Sequence, residues 1–322
     1  MKATAAPKAE MVYWAEVGSG MTFSEANLGA LVSDPDVLEL AAFAAEAGGG
    51  NPAGIVLDAS ELSTERMQAI ATRVGFPETA FLVDPAVGGD PRQVRIRYFS
   101  PGAELPFCGH ATIATAVVLA EQHGIGNFAF DTGVGPLVID TVLGIDGTVT
   151  ASFTSVEPAV RDLDAATTGI LLDLLGLTVG DLDERWPVRE AYAGNWHPVV
   201  AIREAETFDS FGFDPTPVAA LMAKQGWSGT ITVVHAVHGA EGLVVEARNL
   251  FPVGSITEDP ATGSAAAALG GYLREIAAVT PPARFVVHQG RHVGRPSILV
   301  VDVPAAGGIT VSGTAVLLNS AE

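Results

Sequence analysis

The amino-acid sequence predicts an α+β fold made of two pseudo-symmetric lobes. After about residue 36, most segments have the pattern of strands, and few of them alternate with helices in the β–α–β order of a parallel sheet. A loop-to-helix motif also occurs twice, beginning at Glu104 and Glu258, which are 154 positions apart (258 − 104) in a chain of 322 residues. An interval of nearly half the chain favours two related halves.

The elements of the first half follow a mixed segment, residues 1–36, that we predict to be an N-terminal extension. A strand, a turn and a returning strand are predicted over DVLELAAFA, GGGNP and AGIVLD. STERMQAIATRVG is predicted to be a helix capped by Ser63, because Met67, Ile70 and Val74 fall at helical spacing. Further strands are expected over ETAFLVD, VRIRYFS and FAFDT.

One helix of this half, GHATIATAVVLAEQHG, is apolar on nearly all sides, so we expect it to be buried within a sheet. The second half repeats the plan with another mostly apolar helix, GSAAAALGGYLRE, among strands such as TITVVHAV, GLVVEARNLF, FVVHQG and SILVVDV. LLDLLGL and PVAALMAKQG are predicted as shorter helices. We place the first lobe at 37–133 plus 312–322 and the second lobe at 134–311.

The charge balance limits the classes of ligand. The chain has 17 Lys and Arg against 37 Asp and Glu, a formal net charge of −20. Nucleic-acid binding needs clustered basic residues, and anionic membranes repel an acidic surface. No apolar run of membrane-spanning length and no basic start followed by an apolar stretch occurs in the sequence. We therefore expect a cytoplasmic protein that binds a small molecule, and neither nucleic acid nor a membrane.

The repeated motif carries the chemical argument. ELPFCGHATIATAVVLA and EDPATGSAAAALGGYL share the pattern Glu-x-Pro-x-x-Gly-x-Ala, which aligns Gly109 with Gly263 and His110 with Ser264. A glycine at a helix start lets a ligand approach free N–H groups, which suit a carboxylate or a developing enolate. Two facing lobes would bring both helix starts to one cleft. Asp259 of the second copy aligns with the apolar Leu105 of the first copy. The two copies therefore differ at this position, as expected if Asp259 has a catalytic role.

Several motifs together resemble the PhzF-type isomerases, which share the diaminopimelate-epimerase fold. The resemblance rests on GNPAGIVLD, PETAFLV, FSPGAELPFCGHATIA, EDPATGSAAAAL and HQGRHVGRPS, in that order, and it runs from about Asp36 to Leu318. It implies that each lobe is a curved, mostly antiparallel sheet around a central helix, with the active site between the lobes. It also implies no metal or organic cofactor and a homodimer.

The resemblance also implies the site residues. Glu78 in PETAF matches the family's catalytic base, and His110, Asp259 and Ser264 match its other polar site positions. Gly109 and Gly263 match the glycines whose neighbouring amides bind the substrate. The phenazine enzyme itself acts on dihydro-3-hydroxyanthranilate, whereas CGHATIAT resembles the broader group of unassigned substrate.

The sequence is therefore compatible with three functions. The first is a cofactor-independent isomerase of a small carboxylate metabolite that transfers protons at carbon. The second is an amino-acid racemase or epimerase on the same fold without thiols, and the third is a non-catalytic small-anion binding protein. The residues themselves support a base at Glu78, because a carboxyl group between a helix end and an apolar strand is partly desolvated, which raises its pKa.

The remaining polar residues receive structural interpretations. Cys108 is the single cysteine, which excludes an epimerase with two thiols, and we interpret it as a small buried residue. His235 and His238 fall on opposite faces of a strand, so no metal site is predicted there. Arg291 and Arg295 are expected to form ion pairs. Turn formation accounts for Asn51, with a substrate contact left open.

Overall fold

A computed structural model describes residues 35–239, 242–252 and 257–318. The predicted N-terminal extension lies outside these ranges except for residues 35 and 36, and residues 319–322 of the predicted first lobe lie outside them as well. The helices are α1 Thr64–Val74, α2 Gly109–His123, α3 Ala165–Leu174, α4 Ala205–Ser210, α5 Pro215–Gln225 and α6 Gly263–Glu275.

The strands lie in runs of two to four before, between and after these helices. They are β1 Leu38–Ala42, β2 Asn51–Val56, β3 Glu78–Asp84, β4 Gln93–Phe99, β5 Glu104–Leu105, β6 Gly126–Thr132, β7 Gly135–Leu143, β8 Val149–Thr154, β9 Ala159–Asp162, β10 Arg189–Tyr192, β11 Trp196–Ala201, β12 Ile231–Gly239, β13 Gly242–Leu250, β14 Glu258–Asp259, β15 Ala283–Gln289, β16 Ser297–Val303, β17 Thr310–Gly313 and β18 Ala315–Leu317.

The strand pairing repeats with an offset of nine strands. The parallel pairs β2–β3 and β4–β6 recur as β11–β12 and β13–β15. The antiparallel pairs β1–β2, β3–β4, β4–β5, β6–β7 and β7–β8 recur as β10–β11, β12–β13, β13–β14, β15–β16 and β16–β17. The two halves join where β8 pairs with β17. The pairing of β18 with β1 in one half corresponds to the pairing of β9 with β10 in the other. The pseudo-symmetry expected from the repeated motif is therefore present in the backbone.

Each half surrounds one central helix. α2 packs against β1, β2, β3, β7, β8 and β18, and α6 packs against β9, β10, β11, β16 and β17. Every residue of α2 from His110 to Ala120 is buried, which confirms the prediction made from its apolar sequence. β7 and β8 contact α2 although they follow residue 133, where we placed the end of the first segment of the first lobe. The lobe boundaries stay a prediction.

Local sequence signals explain several element ends. Ser63 caps α1 by accepting a hydrogen bond from the Arg66 amide, as predicted, and Gly75 ends this helix in the left-handed conformation. The Asp164 side chain caps α3, which starts earlier than the predicted LLDLLGL segment. α4 and β9 were not predicted, because each is too short to show a clear periodicity.

Among the described residues, no helix combines the length and apolar character needed to cross a membrane.

Candidate active site

The N-termini of α2 and α6 both lie against one aromatic ring. A methyl group added at Gly109 would lie 3.7 Å from Cζ of Phe153, and one added at Gly263 would lie 2.9 Å from the same atom. Phe153 is buried in β8, so its ring contacts both helix starts from one position. The structure thus brings together the two loops that the repeated motif had identified.

Both helix starts keep free hydrogen-bonding capacity. Cys108 and Thr262 are the N-cap residues of α2 and α6, and within the described residues neither side chain accepts a capping hydrogen bond. The first amides of an uncapped helix carry the positive end of the helix dipole. Two such ends beside each other suit a bound carboxylate or an enolate oxygen.

Glu78 lies directly beside the start of α2. It is the first residue of β3, where it pairs with Ala53 of the parallel strand β2. Its Oε2 atom is 3.2 Å from Nε2 of His110, and its side chain retains 19% exposure. The Sγ atom of Cys108 lies 3.4 Å from Nδ1 of His110. The carboxyl group is therefore surrounded by protein and still open to a ligand on one side.

Burial sets the protonation of this group of side chains. It raises the pKa of Glu78 to about 7, the negative charge of Asp259 adds to the increase, and a hydrogen bond with Cys108 opposes it. Burial lowers the pKa of His110 to about 4, against a hydrogen bond to the Pro52 carbonyl. The pKa of the Cys108 thiol is raised, mainly by burial and then by the charge of Glu78. Near neutral pH, His110 and Cys108 are uncharged and Glu78 exchanges a proton readily.

Asp259 supplies a second carboxyl group whose pKa is raised. Burial raises its pKa to about 6, and two hydrogen bonds oppose this increase. The hydroxyl of Thr262 donates to Oδ2 at 2.5 Å, and Nδ2 of Asn51 donates to Oδ1 at 2.8 Å. Because the charge of Asp259 acts on Glu78, the two carboxyl groups form an electrostatically coupled pair.

Gln289 holds the loop that carries Asp259. Its Nε2 atom donates to the Asp259 carbonyl at 2.6 Å and to the Thr262 hydroxyl at 2.9 Å, and its Oε1 atom accepts from the Thr262 amide at 3.2 Å. The sequence analysis placed Gln289 in the predicted strand FVVHQG but assigned it no role in the site. The available signal was the alternation in β15, where Phe285, Val287 and Gln289 are the buried positions. A polar residue in a buried position needs partners.

Asn51 makes a contact that turn formation does not explain. It is fully buried, and its Nδ2 atom also donates to the Ala261 carbonyl at 3.0 Å. The preceding turn is held by Arg295, whose guanidinium donates to the Gly50 carbonyl at 2.7 Å and to the Gly49 carbonyl at 3.1 Å. Asn51 is therefore presented to the Asp259 loop from the other half of the molecule.

The ion-pair prediction for the two arginines is right for one of them. Arg291 pairs with Glu246, at 3.0 Å from its Nε atom, and with Asp209. For Arg295 the prediction is wrong, since its guanidinium binds the two backbone carbonyls of the Gly49–Gly50 turn. Arg295 thereby provides hydrogen-bond donors for the backbone carbonyls of this turn, which lies close to the Asp259 loop in the folded structure. The sequence pattern gives no sign of this contact.

Ser264, the remaining predicted substrate-binding residue, lies at the start of α6. Ser264 is the second residue of α6 and is half-buried next to Gly263, at the position that His110 occupies in α2. Three potential metal-ligating atoms, from Glu78, Cys108 and His110, also lie within 4.8 Å of one another, a cluster that the sequence analysis did not predict.

His235, for which no metal site was predicted, forms a hydrogen bond with the Ile202 carbonyl through Nδ1 at 3.1 Å.

Comparison with known proteins agrees with this architecture. The profile of the PhzC-PhzF family, described as "Phenazine biosynthesis-like protein", matches residues 40–321. The chain belongs to the PhzC-PhzF family. The resemblance found in the sequence motifs is thereby confirmed.

Relatives of this PhzC-PhzF protein are named isomerases. It is 31% identical over 297 residues to the uncharacterized isomerase YddE of Escherichia coli strain K12, covering 89% of this chain and 98% of the relative. It is 28% identical over 260 residues to the trans-2,3-dihydro-3-hydroxyanthranilate isomerase of Pseudomonas chlororaphis, covering 80% and 86%. The protein is accordingly an isomerase of this family.

A solved structure supports the fold. The PhzF-family phenazine biosynthesis protein of Bacillus anthracis superimposes with a TM-score of 0.75 at 26% identity, over 88% of this chain and 96% of that one. The predicted α+β class with two related halves, each around a central helix, is confirmed by this likeness and by the strand pairing described above.

Proposed function

We propose that this PhzC-PhzF protein isomerises a small carboxylate-bearing metabolite by acid/base proton transfer at carbon, without a cofactor, with Glu78 as the principal base. One observation carries the proposal: two carboxyl groups with raised pKa, Glu78 and Asp259, lie beside two uncapped helix N-termini. The helix ends can hold an anion while the carboxyl groups exchange protons near neutral pH.

Each proposed step uses a group already described. The amides near Gly109 and Gly263, together with the Ser264 hydroxyl, hold the substrate carboxylate. Ionised Glu78 accepts a proton from an acidic carbon, and the electron pair of the broken C–H bond spreads into the conjugated system. A proton then returns to a different carbon from protonated Glu78 or from Asp259. No electrons are gained or lost, so the reaction is a rearrangement of bonds and one proton.

His110 supports this chemistry without carrying charge. With a pKa of about 4, its ring remains neutral at the pH at which Glu78 works. A neutral imidazole nitrogen 3.2 Å from Oε2 can accept a hydrogen bond from the protonated carboxyl group and orient it. We therefore assign His110 the orientation of Glu78 and a supporting part in proton transfer.

The racemase alternative follows from the position of the two carboxyl groups. Glu78 comes from the half around α2 and Asp259 from the loop before α6, so they can address a carbon from different sides. Thr262 occupies the position equivalent to Cys108, and the chain has no second cysteine. A racemase on this site would have to use carboxyl groups in place of thiols.

An exchange experiment in D₂O separates these functions. The protein would be incubated with small cyclic or conjugated carboxylates, including dihydro-3-hydroxyanthranilate as the isomerase probe and proline and hydroxyproline as racemase probes. The proposal expects deuterium at carbon in a positional isomer. Deuterium with inverted chirality at the same carbon would support the racemase, and binding without exchange would support an anion-binding protein.

Two further expectations stay proposals. The family resemblance implies a homodimer, which light scattering coupled to size-exclusion chromatography would test. We also propose that the protein works in the cytoplasm, on the basis of its composition, and fractionation of the host cells would check this.

A further inference from the structure

We infer that Glu78, Cys108 and His110 form a binding site for a zinc-type divalent ion, and that its occupation inhibits the enzyme. The donor set is a carboxylate oxygen, a thiol sulfur and an imidazole nitrogen, and these atoms lie within 4.8 Å of one another. The binding claim stands on this arrangement alone. The claim of inhibition rests on the proposed role of Glu78 as the base.

Two of the three separations between the ligand atoms are close to those around a tetrahedral ion. Zinc binds nitrogen at about 2.0–2.1 Å, oxygen at about 2.0–2.2 Å and thiolate sulfur at about 2.3 Å, which places neighbouring ligand atoms roughly 3.3–3.7 Å apart. Nε2 of His110 is 3.2 Å from Oε2 of Glu78 and 3.8 Å from Sγ of Cys108. These two separations differ from tetrahedral edges by a few tenths of an ångström, which small side-chain rotations can supply.

The surroundings provide the support that metal-bound histidines ordinarily have. The His110 ring donates a hydrogen bond to the Pro52 carbonyl, which leaves its other ring nitrogen with a free lone pair. Histidine ligands commonly donate their second N–H to such a backbone carbonyl, which fixes the ring orientation. Cys108 and Glu78 come from the α2 N-cap and the first position of β3, so the backbone already holds all three ligands near one another.

Charge and chemical softness favour the same kind of ion. On binding, the Cys108 thiol would release its proton to solvent, and the divalent cation would neutralise the resulting thiolate and the carboxylate of Glu78, while the nearby Asp259 adds further negative potential. Thiolate and imidazole ligands select zinc-like ions over magnesium or calcium, which prefer oxygen. Three protein ligands also leave a fourth position open for water or for a substrate carboxylate.

Occupation would block catalysis by a direct route. The ion would use the lone pair with which Glu78 must accept a proton from carbon. It would also occupy the ring nitrogen of His110 that faces this carboxyl group. A family of enzymes that works without a metal would in this protein be sensitive to one.

Cobalt absorption tests binding without any substrate. Co²⁺ alone would be titrated into the full-length protein, because a cobalt–thiolate bond gives an intense near-ultraviolet charge-transfer band. Since the chain has one cysteine, such a band reports Cys108 without ambiguity. We expect a band that saturates at one equivalent and is displaced by Zn²⁺. Absence of the band, or saturation only far above one equivalent, would overturn the site.

Variants assign the ligands. Cys108→Ala should remove the band, and His110→Gln and Glu78→Gln should each weaken Co²⁺ binding by about tenfold or more. His235→Gln is the control and should bind as the wild type does. If Cys108→Ala does not fold, the other two variants still decide the question, because retained affinity in both would overturn the assignment.

Inhibition is measured separately from binding. In the D₂O exchange assay, Zn²⁺ should stop deuterium incorporation at the concentration that displaces Co²⁺, and a chelator should restore it. If Co²⁺ binds as expected but Zn²⁺ leaves exchange unchanged, the metal site stands and the role of Glu78 as base is wrong. If Co²⁺ does not bind and exchange depends on Glu78, the metal site is wrong and the proposed function stands.

Discussion

Asn51 and Asp259 are 208 positions apart in the sequence and are joined by a hydrogen bond of 2.8 Å from Nδ2 to Oδ1. Asn51 begins β2, which packs on α2, and Asp259 ends β14, just before α6. This bond therefore ties together the two halves at the point where their acid/base groups meet. The position of Asp259 depends on residues that exchange no proton themselves, namely Asn51, Thr262 and Gln289.

Removing this bond should weaken both the fold and the site. Asn51→Ala leaves a buried carboxyl group without one of its donors, so we expect a loss of roughly 1–3 kcal/mol in the free energy of unfolding. It should also raise the pKa of Asp259 further, because the Asn51 hydrogen bond lowers it. Urea denaturation measures the first effect. Asn127→Ala, at an exposed position on β6, is the control, and an equal loss in both variants would contradict this role for Asn51.

Asp259 should reduce stability at alkaline pH. Its folded-state pKa of about 6 is above the ordinary value of 3.8, so the folded protein binds the proton more tightly than the unfolded chain does. The stabilisation that protonated Asp259 gives to the folded state is fully present below about pH 4 and is lost as the pH rises through 6. At pH 8 the penalty is on the order of 3 kcal/mol. Asp259→Asn removes this titration and, at every pH, one of the two acceptor oxygens, so its melting temperature relative to the wild type should be several degrees higher at pH 8 than at pH 4.

Thermal melts at several pH values check this expectation. Asp173→Asn serves as the control because Asp173 is exposed on α3, away from the site. A difference between Asp259→Asn and the wild type that does not change with pH would show that the Asp259 carboxyl group is not held in a proton-binding environment.

The two glycines at the helix starts should respond differently to the same substitution. A methyl group at Gly263 would lie 2.9 Å from the Phe153 ring, whereas one at Gly109 would lie at an ordinary contact distance of 3.7 Å. Gly263→Ala should therefore cost about 1–3 kcal/mol of stability by overpacking, and Gly109→Ala should cost much less. Combining each with Phe153→Leu in a double-mutant cycle should relieve only the Gly263 variant. Equal effects at the two glycines would contradict the position of this ring.

Ser264 should affect binding more than turnover. If its hydroxyl holds the substrate carboxylate, Ser264→Ala should raise KM while kcat falls less, because the lost interaction is present in both ground and transition states. Steady-state kinetics with any substrate found in the exchange screen measures this. A fall in kcat with KM unchanged would place Ser264 in the chemical step instead.

The sequence alone predicted the parts of the molecule that local patterns define. The cap at Ser63, the buried helices α2 and α6 and the repeated loops are properties of short segments, and the structure bears them out. Asn51, Gln289 and Arg295 were missed or misinterpreted because their roles depend on partners more than 25 positions away. The cluster of Glu78 with Cys108 and His110 likewise appears only when β3 is placed beside α2.

The central claim is that Glu78 removes a proton from carbon. The most direct measurement compares the rate of deuterium incorporation in D₂O between the wild type and Glu78→Gln, with Glu61→Gln, an exposed position, as the matched control. We predict that Glu78→Gln lowers the exchange rate by about 10²–10⁴-fold with little change in ligand affinity, and that Glu61→Gln exchanges at the wild-type rate. Exchange by Glu78→Gln at close to the wild-type rate would contradict the claim and make Asp259 the next candidate for the base.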